Sequence, residues 1–152
     1  MTLGSTDKLV VRFDDDDDGT GRLWVSGSAN GFAGTAAAWF GTEELKEFAQ
    51  ALTRYPIADN DPPTLSGGFW LRDGKGLDQE HVFLEVSPAD SLGHLRVRLR
   101  LATEVWPPAQ IESQHRVQLE IRTSYQALLE FSRMLNAVIL GKADEAVLIG
   151  DE

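Results

Sequence analysis

Gly93-His94-Leu95-Arg96-Val97-Arg98-Leu99-Arg100-Leu101 alternates apolar and polar side chains over its whole length. A period of two marks a strand with one buried face and one wet face. Leu95, Val97, Leu99 and Leu101 share the first face, while His94, Arg96, Arg98 and Arg100 share the second. Val117, Leu119 and Ile121 alternate in the same way with Arg116, Gln118, Glu120 and Arg122. Half-wet strands suit antiparallel pairing, because strands of a parallel sheet are covered on both faces and read as apolar runs.

Outward from this pair the pattern repeats. Leu9, Val11 and Phe13 form one phase before Asp14–Asp18 and Gly19-Thr20-Gly21, and Leu23 and Val25 resume it, which is a hairpin signal. Phe32 to Phe40 reads as extended, with Ala, Gly and Thr leaving room for something bulky to approach. Leu65 to Leu71 and the Val82, Leu84, Val86 phase add two strands around Asp73-Gly74-Lys75-Gly76.

Two helices interrupt the strands. Leu45, Phe48, Ala49 and Leu52 fall at i, i+3, i+4 and i+7, with Thr42 placed to cap and Pro56 to stop the helix. Leu128, Phe131, Leu135, Val138 and Ile139 form a second stripe. It is preceded by Thr123-Ser124-Tyr125-Gln126, a capping box through Thr123 and Gln126, and followed by Gly141. The expected fold is α+β: a mainly antiparallel sheet of about seven strands with two amphipathic helices packed on one face.

The chain of 152 residues fits one domain spanning 1–152. The spacing Leu-x-x-Phe-small-x-x-Leu in both helices raises an internal duplication, 8–56 and 64–141, followed by an acidic tail at 142–152. Val147-Leu148-Ile149 in that tail is open between a frayed end and an edge strand.

A net charge of −10, from 24 acids against 14 Lys and Arg, opposes nucleic acid and anionic membranes as partners and favours a basic protein. No apolar run is long enough to span a bilayer, and the N-terminus has no signal-peptide pattern. With no cysteine there is no disulfide or thiolate chemistry, and a cytoplasmic setting is the default expectation.

The candidate binding residues fall into two sets. Asp15, Asp16 and Asp17, in a run that resembles the first half of a calcium loop but lacks its closing Glu, could face a basic partner. Trp106, beside Pro107-Pro108, is either an exposed anchor or a loop plug. Trp39 is expected to pack beneath the first helix. Arg96, Arg98, Arg100, Arg116 and Arg122 on one sheet face could instead clamp a carboxylate or phosphate. Cross-strand pairing with Glu80, Glu85 and Glu120 is the plainer reading. His81 and His94 lie on polar phases and His115 does not join them; no zinc spacing, nucleophile elbow or Gly-rich phosphate loop is present. No cofactor is expected.

Gly31-Phe32-x-Gly34…Trp39…Leu45-x-x-Phe48…Leu52, then Gly93-His94-Leu95-x-Val97-x-Leu99 and Val117-x-Leu119-x-Ile121, resembles small uncharacterised bacterial proteins. Some of these are placed near the immunity proteins that neutralise polymorphic toxins. The resemblance implies an α+β fold, a bacterial cytosolic setting and a non-catalytic protein-binding role. Two alternatives stand beside it: a small-molecule or anion-binding protein using the arginine face, and an enzyme with an acid/base pair that spacing does not reveal.

Overall fold

The computed structural model describes residues 6–151. Its elements run β1 (Lys8–Asp15), β2 (Thr20–Ala29), β3 (Phe32–Gly41), α1 (Thr42–Ala51), β4 (Thr64–Trp70), β5 (Leu77–Pro88), β6 (His94–Ala102), β7 (Arg116–Ser124), α2 (Tyr125–Ile139) and β8 (Ala146–Ile149). The fold is α+β, with all strand pairs antiparallel. The strands divide into two sheets of four, ordered β3-β2-β1-β8 and β4-β5-β6-β7. The acidic tail thus contributes an edge strand, β8, in which Leu148 lies opposite Leu9.

Both sheets follow one plan. A three-stranded meander runs straight into a helix, and the strand after that helix pairs with the first strand of the other meander. The registers correspond residue by residue. Leu23 and Val25 face Ala38 and Ala36 as Val97 and Leu99 face Ile121 and Leu119. Leu9 and Val11 face Leu148 and Ala146 as Val82 and Leu84 face Gly67 and Leu65. The structural unit is therefore three strands, a helix and a strand, and each unit lends its last strand to the other. Units bounded at 8–56 and 64–141 would leave β8 out and place β4 at the head of the second half.

A twofold relation requires equivalent residues to meet on its axis, and two such pairs do. Ser132 Oγ donates to the carbonyl of Ala49, 83 residues away and at the matching place in the other helix. The same spacing relates Gly34 to Val117, and a Cβ on Gly34 would stand 2.6 Å from Val117 Cγ1. This close approach is what the small residues of β3 permit.

β3 crosses the second sheet. Its Gly34 end lies on β7, and Phe40 lies against Gly67 of β4. Six residues of strand span about 20 Å, enough to cross three strand spacings of about 4.8 Å, so β3 runs obliquely across all four strands of the second sheet and not along one of them. The helices fill the space where the sheets diverge, α1 on β3 and β4, α2 on β1, β7 and β8. Every residue of the two predicted stripes is buried there.

The caps differ from expectation. Gly41 occupies the position before α1 without a side-chain bond, so Thr42 is already helical. Ser124 caps α2, its Oγ accepting from the Ala127 N–H at 3.1 Å. Thr123, still in β7 and facing inward, is buried with its hydroxyl unpartnered. Trp39 does not pack under α1. Ala38 and Phe40 take the inward phase, which turns Trp39 outward and leaves it 53% exposed.

Candidate functional site: an acidic end rich in tryptophan

The two units differ most in the link between their second and third strands. In the first it is the tight turn Asn30-Gly31, both residues at positive φ, a geometry that Asn and Gly tolerate best. In the second it is the long segment 103–115, and long links of this kind often carry binding function.

Residues 103–106 form a strap anchored at Thr103, whose N–H donates to the His115 carbonyl at 3.0 Å, and held beyond it at three points. Glu104 accepts from Arg22 Nη2 of β2 at 3.5 Å. The Gln79 side chain grips the backbone of Val105, donating to its carbonyl at 2.7 Å and accepting from its N–H at 3.1 Å. The Trp106 ring lies against Phe69, with centroids 4.6 Å apart. Trp106 remains 64% exposed, so it is a surface residue rather than a plug.

His81 supports the strap from below. A bulge opposite Gly67-Gly68 inserts one residue into β5 and turns His81 inward, so it is 1% exposed instead of lying on the wet phase. Its Nε2 is 2.9 Å from Gln79 Oε1, which already accepts from Val105, so this nitrogen carries the proton and donates. Phe69 meets the imidazole edge-on at 4.5 Å. Burial lowers the imidazole pKa, against a smaller upward pull from Glu104.

The tryptophans and the aspartate turn converge on this end. Arg22 lies over the Trp24 ring at 4.6 Å and sits opposite both Trp39 and Asp14 in the first sheet. Trp24 Nε1 donates to Asp14 Oδ2 at 3.0 Å. Trp70, next to Phe69, is 55% exposed. Through Arg22 and Glu104, the turn that holds Asp15, Asp16 and Asp17 is thus joined to the strap that holds Trp106.

The turn is ordered by its own carboxylates. Asp15 accepts from the Asp17 N–H at 3.0 Å. Asp18 accepts from the Thr20 N–H and, at 2.6 Å, from the Thr20 hydroxyl, which holds the Asp18 pKa below the usual carboxylate range. Among the described residues none of Asp14–Asp18 is paired with a cation, and no three His, Cys, Asp or Glu side chains are grouped to hold a metal ion.

The arginine face is largely self-paired. Arg98 donates to Glu120 at 3.3 Å, and Arg100 meets Glu80 through two bonds at 2.8 and 3.1 Å while lying over Phe83. Arg122 meets Asp90, whose pKa is lowered first by the Leu92 N–H and then by His94. Arg96 donates to the Pro88 carbonyl. Only Arg116 of the five lacks an ion pair among the described residues. It borders a hollow of about 510 Å³ with Asp78, Glu80, Arg100, Gln114 and Gln118.

Spacing alone could not bring these groups together. The strap reaches Gln79 and Phe69 across long stretches of sequence, and the bulge that buries His81 carries no signal beyond Gly67-Gly68. In comparisons with known proteins, no family model, curated protein or solved structure matches the chain.

Proposed function

We propose that the chain is a non-catalytic protein-binding module that captures a basic partner at its acidic, tryptophan-rich end. One observation carries this reading: Trp39, Trp70 and Trp106 are each more than half exposed, Trp39 shares Arg22 as a neighbour with Asp14, and among the described residues none of Asp14–Asp18 is paired with a cation. Indole faces and carboxylates together suit Lys and Arg side chains, through cation–π and ionic contact. Arg22 on Trp24 shows the same chemistry within the chain. Capture of a basic toxin, as an immunity protein performs it, is the form of this role that the resemblance suggests.

Titration with a deca-arginine peptide, read by tryptophan fluorescence, tests it. Binding should weaken about tenfold between low and physiological salt, because steering by opposite charge is screened. It should fall about fivefold or more in Trp106→Ala and in the triple variant Asp15→Asn, Asp16→Asn, Asp17→Asn. Affinity indifferent to salt, or unchanged in both variants, would refute the reading.

Arg116, which has no ion pair among the described residues and borders its hollow, favours a second reading, an anion site on the arginine face. Pyrophosphate should then raise the melting temperature, and replacing Arg98 and Arg116 together should abolish the rise. An equal rise in that variant would rule this site out.

A further inference from the structure

We infer that β3 is a docking strand, whose free edge pairs with an extended, basic segment of the partner. The inference rests on the protein-binding reading and specifies its mode.

Four strands lie at sheet edges, and three carry protection of the kinds that block unwanted pairing. β8 has only four residues, β4 is interrupted by register shifts, and β7 bears Arg116, Glu120 and Arg122. β3 has none of these. It is ten residues long, without a charge, a proline or a bulge.

The turn Asn30-Gly31 fixes which of its groups are free. Residues flanking a two-residue hairpin turn form a hydrogen-bonded pair, and such pairs then alternate. Phe32, Gly34, Ala36, Ala38 and Phe40 therefore bond to β2. Ala33, Thr35, Ala37 and Trp39 point their N–H and C=O groups at the free edge, and none has a backbone partner among the described residues. Ala37 is only 7% exposed, so its polar groups have little water in place of a partner. The equivalent edge of β7 is better served, since the Asp151 N–H donates to the Arg122 carbonyl, the position matching Trp39.

The strap runs beside this edge without bonding to it. Thr103 lies near Ala33–Thr35 around a hollow of about 220 Å³, and Glu104 reaches the Trp39 end through Arg22. Besides the bond from the Thr103 N–H to the His115 carbonyl, the strap is held through the side chains of Arg22, Gln79 and Phe69, none of them on β3. An incoming strand can therefore displace residues 104–106 and take up the free backbone groups.

Only extended backbone matches a row of alternate N–H and C=O groups. Charge selects its composition. The outward side chains of an added strand would stand next to Trp39, with Asp14 two strands further on, and that indole face together with the net charge of −10 suits Lys or Arg. A second copy of this chain brings a further −10 of charge to the contact, which opposes self-pairing.

Amide hydrogen exchange on the full chain, with a ten-residue alternating Lys–Val peptide, tests the inference. Amides of Ala33, Thr35, Ala37 and Trp39 should slow about tenfold or more, while those of Gly34, Ala36 and Ala38, already bonded to β2, should not change. A peptide of the same sequence, N-methylated at alternate residues on its pairing edge, should give no protection. If the Lys–Val peptide binds but the four amides exchange as before, β3 is not the docking strand, although the acidic end still binds a basic partner. Equal protection by a Glu–Val peptide would overturn the basic partner. Slowing that grows with protein concentration alone would make a second copy the occupant and overturn the inference.

Discussion

At the buried imidazole of His81, the unfolded chain takes up a proton more readily than the folded one, because burial lowers the folded-state pKa below 6.5. More protons on the unfolded state mean that stability rises with pH. This contribution is complete above the ordinary imidazole range and is lost as pH falls through that range towards the depressed value. The urea midpoint should thus drop between about pH 7.5 and about pH 5.5, and drop less in His81→Gln, which has no such proton to bind. Equal drops in both proteins would contradict the placement of His81. Gly34 offers a steric counterpart. Gly34→Ala puts a methyl group 2.6 Å from Val117 Cγ1 and should cost about 1–3 kcal/mol, recovered in part when Val117→Ala is added. Additive losses in urea denaturation would disprove the contact. Single positions are where the sequence was least legible. The apolar phase of the strands was plain, but the bulge reversed His81, and the immediate run from strand into helix hid that Trp39 still obeys the strand's alternation.

Among the elements, the helical stripes were legible in full, since a period of 3.6 residues belongs to the chain itself. Their first residues were less so. Ser, Thr and Asp all cap, and which one does depends on where the strand ends. Ser124→Ala should cost about 1 kcal/mol, while Thr42→Ala, at a position already inside α1, should cost less than about 0.5 kcal/mol. Reversed costs in thermal or urea melts would move both helix starts. The strands were recognised one by one, yet their division into two sheets was not, because alternation reports a buried face and not what covers it. The fate of Val147-Leu148-Ile149 depended likewise on a distant partner, β1. Of the candidate site, the aspartate turn and Trp106 were visible separately. Arg22, Gln79 and Glu104, which connect them, lie on three different segments and form no motif.

For the whole molecule, the exchange of last strands makes the two units interdependent. β4 belongs by sequence to the first unit and completes the sheet of the second, while β8 does the reverse. The same arrangement creates the candidate site, since the strap of the second unit lies along the third strand of the first. The turn at Asp73-Gly74 is exposed and separates the units, so it is the place to cut the chain. Each fragment alone lacks a strand of its sheet and half of the core. Mixing fragments 1–73 and 74–152 and following circular dichroism and sedimentation gives the most direct test. Interlocked units predict that neither fragment forms a stable folded monomer and that the mixture recovers the native spectrum as a one-to-one complex. Two fragments that fold separately and sediment independently would contradict the exchange and the site built upon it.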